Sequence, residues 1–431
     1  MTRYQNTINT NISWIPQIPN HWNLMKVNAL FQERKCKVSD KVFAPLSVTK
    51  KGILPQLEHA AKTNNGDNRK LVKAGDFVIN SRSDRKSSCG VSQLDGSVSL
   101  INIVLTPREE LNGKYIHYLL RNYRFSEEYY RNGRGIVADL WTTRYSEMKS
   151  ILIPVPPRTE QEQIVRFLDW KVSEINKLIG IERKKLEFLQ EMIHSKFQDI
   201  ILGSKEKISL KRLVFLENEF VKIDSDNFYQ KAGMYNRGRG IFLREPVLGK
   251  DMGDSKFQRI HKDRLMISGQ FAWEDAIYVT TKKDEVGLAS HRYYLLKSIT
   301  SNVPVEYLFG YFFSMKGLSE LQRCSHGAAG RNRPLNINEL LRIKIPVIND
   351  RDLIFSFCKI VRAYMEMRPI VLSKEKLLSE LKNRIIADVV TGKIDVRNVE
   401  IPEYEHIDDM VDDGDGEENE EELADAEETE A

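Results

Sequence analysis

Residues 150–203 read SILIPVPPRTEQEQIVRFLDWKVSEINKLIGIERKKLEFLQEMIHSKFQDIILG, and residues 342–392 read RIKIPVINDRDLIFSFCKIVRAYMEMRPIVLSKEKLLSELKNRIIADVVTG. Both open on a strand-like IPV, pass through a turn rich in Pro or Asn/Asp, and continue as a long charged helical pattern closed by Asp, aliphatic residues and Gly. Asp199 and Asp388, Gly203 and Gly392, and Gly180 and Pro369 are each 189 positions apart, so the chain contains one unit twice. Gly and Pro both weaken helices, which predicts a bend or break at Gly180 and Pro369. Fainter matches precede the helices: GDFVIN from Gly75 answers GQFAWE from Gly269, and IHYLLRNY from Ile116 answers VEYLFGYF from Val305.

Thr159 and Glu162 have capping-box spacing just after Pro157. Ile164, Leu168, Ile175, Leu178, Leu186, Leu189, Ile193, Phe197 and Ile200 then recur mostly three, four and seven apart, the narrow apolar stripe of a helix packing on one partner. In the second copy Asn349 or Asp350 is the cap, and Leu353, Phe357, Ile360, Val361, Tyr364, Leu377, Leu378, Leu381, Ile385 and Val389 form the stripe. Forty-odd helical residues reach roughly 60–65 Å. Such stripes have to be covered. Pairing the two helices within the chain is the economical arrangement; the alternatives are that each folds onto its own globule or pairs between chains.

The remaining sequence mixes short strand patterns (VSLINIVLT, IYVTT, HRYYLL) with shorter helices at 113–131 and 305–322. The expected class is therefore α+β: two mixed α/β domains separated by an antiparallel pair of long helices, an intramolecular coiled coil with a pseudo-twofold repeat. The expected limits are a first domain at 1–157, a first helix at 158–205, a second domain at 206–349, a second helix at 350–397 and an acidic tail at 398–431.

The charge is distributed unevenly. The chain of 431 residues has 65 Lys and Arg against 61 Asp and Glu, a formal +4. From Glu400 onward there are 17 acidic residues and no Lys or Arg, which leaves 44 acidic residues and a formal +21 ahead of that point. A body this basic points to a polyanion, most simply nucleic acid; the alternative is a basic protein whose own tail keeps it soluble. The tail has almost no apolar content and is expected to be disordered. Its DDGDGEENEEE lacks the phasing of a calcium loop. Cys36, Cys89, Cys324 and Cys358 are far apart, which argues against a zinc site or a disulfide framework and for a reducing, cytoplasmic setting. The N-terminus has no apolar signal region, and no apolar run approaches the ~18 residues of a membrane span.

Nucleotide-loop, zinc-protease and serine-hydrolase signatures are missing, so the reading favours a binding scaffold over an enzyme. Arginine-rich loops recur instead. NSRSDRKSSCG presents Arg82, Arg85 and Lys86 among hydroxyls, and Arg131, Arg134 and Arg144 flank Trp141. In the second half YNRGRGIFLR carries Arg237, Arg239 and Arg244, and Arg323, His326, Arg331 and Arg333 surround Gly327 and Gly330. Arg forks onto guanine edges, while hydroxyls and backbone amides position phosphates. Any one of these arginines taken alone is better read as a solvated surface charge; four clusters, two per copy, favour a DNA-binding surface. His291 and His326 read as loop residues.

These features resemble the specificity (S) subunit of Type I restriction–modification enzymes. IPVPPRTEQEQIVRFLDWKVSEINKLI is similar to that family's first helical spacer, ADVVTGKIDVR (Ala387 to Arg397) to the end of its second, and IPNHWNLMKVNALF (Ile18 to Phe31) to the segment opening its first recognition domain. YNRGRGIFLREPV resembles a stretch of some recognition domains. The resemblance implies two target-recognition domains, each reading half of a bipartite site on double-stranded DNA, with the helices setting the gap. It also implies two modification subunits carrying S-adenosylmethionine, restriction subunits using ATP and Mg²⁺, and no cofactor in this chain. The acidic tail departs from the family pattern. Two other classes stay open: a stand-alone DNA-modifying or DNA-cleaving enzyme, and a coiled-coil interaction protein without a DNA role.

Overall fold

The computed structural model describes residues 2–56, 66–108, 111–135, 141–236, 238–327 and 333–408. Within these, the chain forms two compact units: 2–179 with 376–408, and 180–375. The division differs from the contiguous segments expected from the sequence, because it runs through both long helices. The first helix spans Arg158–Gly203 and the second Arg351–Val390. Each unit thus owns one part of each helix. Neither helix is interrupted at Gly180 or Pro369, so the expected break is absent. Pro369 has no N–H to offer the carbonyl four residues before it. Buried Tyr364 and Val371 on either side hold the helix to its neighbours there.

The first unit is built around an antiparallel sheet ordered Cys89–Val91, Phe77–Asn80, Asn102–Pro107, Phe31–Glu33. Its IPV strand, Leu152–Val155, pairs with Asn23–Lys26, and the buried Tyr115 hydroxyl donates to the Pro154 carbonyl at 3.0 Å. Short helices Gly113–Arg121 and Tyr123–Arg131 meet at Asn122, whose side chain caps the second. Ile164 and Leu168 of the first long helix join Val389 and Val390 of the second in one core with Trp14, Ile15 and Trp22. The Thr159 capping box does not form. Pro157 occupies the cap position, its carbonyl accepting from the Glu160 and Gln161 amides, and Thr159 lies inside the helix. Glu160 instead accepts from Tyr4 and Trp22 and pairs with His21 at 2.8 Å.

The second unit repeats this plan. Its sheet is ordered Val214–Glu217, Tyr293–Ser298, Leu265–Ser268, Ile277–Val279. Strand Lys344–Val347 pairs with Glu206–Ser209, Tyr307 donates to the Pro346 carbonyl at 2.6 Å, and Ser314 caps Met315–Arg323. Tyr115 and Tyr307, Pro154 and Pro346, and Asn122 and Ser314 are each 192 apart. The sequence match of Ile116 with Val305 is therefore three residues out of register. Likewise the strand equivalent to Phe77–Asn80 is Leu265–Ser268, not the loop that starts at Gly269. A second sheet differs between the units: three strands (Gly96–Val98, Arg69–Val72, Lys37–Val38) in the first, six in the second, including the hairpin Phe228–Tyr235 and Gly240–Leu243.

Inside each unit the long helices run antiparallel against one another. In the second, Phe197 packs on Phe357 at 5.7 Å, Gln190 donates to the Tyr364 hydroxyl, and Arg183 pairs with Glu375 at 3.1 Å. Exposed ion pairs contribute at most about 1 kcal/mol each, so the buried rings dominate this contact. In the first, Lys382 reaches Asn176 at 3.3 Å. Leu178, Leu377 and Leu381 lie outside the seam, 50%, 62% and 46% exposed. Asp350 caps the second helix, which ends at Val390 rather than 397 and stops on Gly392 at φ +73°. Residues 393–397, expected to be helical, instead pack on the fold with Val396 buried, and 398–408, the start of the expected acidic tail, do not leave it: Gln163 and Asn176 hold the carbonyls of Val396, Val399 and Ile407. The rest of the acidic tail, 409–431, lies outside the described residues. Among the described residues no helix is long and apolar enough to cross a membrane.

Candidate nucleic-acid interface

In the first unit the two arginine clusters form one surface. The loop after Phe77–Asn80 is sewn to the segment around Thr142: Thr143 donates to the Ser81 carbonyl at 2.9 Å and Ser83 to that of Trp141 at 3.1 Å. Thr142 also exchanges both backbone bonds with Arg134. Buried Tyr129 and Tyr130 brace the junction, Tyr129 donating to the Thr143 carbonyl and Tyr130 to those of Asn80 and Arg85. Gly133 is required here, since a Cβ would meet the Trp141 indole at 2.4 Å. Arg82, Arg85, Arg134 and Arg144 stand exposed on this surface. Lys86 is paired with Glu127, and Arg131 with Glu128 of its own helix at 2.7 Å.

The second unit builds the same junction. Leu335 donates to the Gly269 carbonyl at 2.7 Å and bridges to Ser325, joining the loop after Leu265–Ser268 to the loop after Met315–Arg323. Arg323 is held by Glu320 at 2.7 Å, as Arg131 is by Glu128, and the two pairs are 192 apart. His326 pairs with Glu339 at 2.9 Å. Arg333 lies over the Trp273 ring at 5.0 Å, a cation–π contact at an exposed residue.

The NRGRG segment adds to this face. It is the tip of the hairpin, docked on the 271–276 loop by Gly238 N–H to the Asp275 carbonyl at 2.6 Å and by Asn236 to Glu274 at 2.7 Å. Arg239 stacks on Tyr235 and forks back onto Asn236, so it shapes the tip. Arg244 lies past the far end of strand Gly240–Leu243 and is not brought to the tip. Arg237 and Arg331 lie outside the described residues.

Beneath the tip is a group that the sequence did not reveal. Asp275 is partly buried with its Oδ1 fully enclosed and unpartnered among the described residues. Burial pushes its carboxyl up to about 7 against the opposing charge of Arg368. Arg368 comes from the second long helix, donates to the Tyr364 hydroxyl at 2.7 Å, and is itself pushed down by burial. Gly238, at φ +58°, fits above both; a Cβ there would approach Arg368 at 3.0 Å and Asp275 at 3.3 Å. The hairpin tip is therefore seated on the helix that carries Arg368. A pattern signal was absent, since Arg368 and Asp275 are 93 positions apart. Among the described residues no three His, Cys, Asp or Glu gather as a metal site.

In sequence comparison the chain matches no protein-family model and no curated protein. Its structure is similar to solved ones. The S subunit of a Type I restriction–modification system from M. genitalium covers 90% of this chain and 99% of its own at 15% identity and a TM-score of 0.46. A chain from the structural basis of complex assembly and conformational transition of the type I R-M system covers 88% and 99% at 11% identity and 0.53. The HsdS subunit of Thermoanaerobacter tengcongensis covers 88% and 98% at 13% and 0.39. At such identities the likeness is one of fold, and the expected architecture of two α/β domains with a long helix pair is the one observed.

Proposed function

We propose that the chain is the DNA-specificity subunit of a Type I restriction–modification complex, a non-catalytic reader that works in the cytoplasm. The observation that carries the reading is the duplicated junction. Two loops joined after equivalent sheet strands present arginines in each unit, Arg82, Arg85 and Arg134 in one and Arg333 beside the NRGRG tip in the other. Loop sequence differs between copies while the frame repeats, as a reader of two unlike half-sites requires. Arg131 and Lys86, already paired, serve the frame or phosphates rather than base edges. Exposed Leu178, Leu377 and Leu381 on the long helices of the first unit offer a docking face for a modification subunit, of which two bring S-adenosylmethionine to the complex. Restriction subunits using ATP and Mg²⁺ join through them.

The test uses the purified chain alone and with modification subunits, on duplex DNA with Mg²⁺ and S-adenosylmethionine. The expected result is salt-sensitive binding by the chain alone and methylation only in the complex. Methylation or cleavage by the chain alone overturns the reading.

A further inference from the structure

The acidic tail starts from a fixed place. Residues 393–408 lie along the first long helix, where Gln163 holds the carbonyls of Val396 and Val399 at 3.0 and 2.8 Å. Farther along, Asn176 holds the Ile407 carbonyl at 3.0 Å and Ser173 accepts from the Ile407 amide at 3.3 Å. The last described residue, Asp408, sits on the rim of a cleft of about 450 Å³ in the first unit. Lys50, Ser87, His117, Arg121 and Lys382 line that cleft, with Asp169 the opposing acid. Asp169 is engaged by Lys114 and Tyr118. Ser87 belongs to the loop that carries Arg82, Arg85 and Lys86. The described chain thus ends in a cleft that Ser87 of this arginine loop also lines.

Residues 409–431 contain 13 Asp and Glu and no Lys or Arg. Twenty-three residues span at most roughly 80 Å, so covalent reach does not prevent contact with any part of the first unit's basic face. We propose that residues 409–431 dock on the basic face around Arg82, Arg85 and Arg134 and compete there with DNA. The proposal rests on the DNA-reading function above. Linked at 408, the tail acts at an effective concentration on the order of millimolar. A tail that binds this face with a dissociation constant of ~0.1 mM would then weaken DNA binding about tenfold. A correct half-site, adding base contacts, displaces it; non-specific DNA, held by phosphates alone, does so poorly.

The experiment compares the full chain with one ending at Asp408, on a duplex lacking any recognition site. The expected result is about tenfold tighter binding by the shortened chain at low salt, with a steeper salt dependence. Hydrogen exchange in the 82–88 and 131–135 segments should be slower in the full chain than in the shortened one. A synthetic 409–431 peptide should inhibit the shortened chain, and its Asn/Gln counterpart should not. Equal affinity and equal salt slopes overturn the competition. Tighter binding with unchanged exchange overturns docking and leaves only long-range charge. If neither form binds DNA, the proposed function itself fails.

Discussion

Replacing Asp275 by Asn isolates the seat of the NRGRG hairpin. The folded carboxyl titrates near 7 because burial outweighs the attraction of Arg368, whereas the unfolded one titrates near 3.8. Between about pH 4 and 7 the folded chain therefore keeps a proton that the unfolded chain gives up. The stability this contributes is fullest at the acid end, falls as pH rises through the window, and is flat above it. A gap of about three units corresponds to on the order of 4 kcal/mol across the window. Asn is neutral throughout, and the backbone carbonyl that accepts from Gly238 is untouched. Urea unfolding at several pH values, followed by the fluorescence of neighbouring Trp273, is the assay. The native second unit should lose a few kcal/mol between pH 4 and 7, and Asp275→Asn should stay nearly level and be the more stable at pH 7.5. Parallel curves would refute the buried-carboxyl account.

Phe197→Ala removes a fully buried ring that contacts Tyr307, Tyr311 and Phe357, and should cost roughly 3–5 kcal/mol in the second unit, read by denaturant midpoint. Arg82→Ala with Arg134→Ala should reduce the slope of log K against log salt by about two, since both side chains are exposed; an unchanged slope would remove them from the DNA face. Deleting four residues from each long helix, next to Gly180 and next to Glu375, shortens the pair by about 6 Å and should change the gap between half-sites while leaving their sequences alone. Methylation mapping of that variant would count against the spacer role if the half-sites changed and the gap did not.

The duplicated helices were legible because an apolar stripe on a charged helix, with 189-residue correspondence, is local and repetitive. The globules repeat at 192 instead, so the three-residue difference falls between the IPV strand and the body of the helix. That offset displaced the Ile116–Val305 match. Buried strands such as Phe77–Asn80 and Leu265–Ser268 keep apolar character but not sequence, so their equivalence appears only from their shared place in the sheet. The arginine loops were recognisable singly. Their fusion into one face per unit depends on backbone bonds such as Thr143 to Ser81, which composition does not encode. Residues 398–408 look like the start of an acidic tail by charge, yet Val399 and Ile401, following Ile394 and Val396, supply enough apolar surface to hold them down.

Genome-wide mapping of adenine methylation, in cells with and without this chain and with its partner subunits present, tests the central claim most directly. The account predicts a split motif of two unlike half-sites at a fixed spacing that disappears when the chain is removed. A motif that persists without the chain, or one that is continuous rather than split, would contradict it.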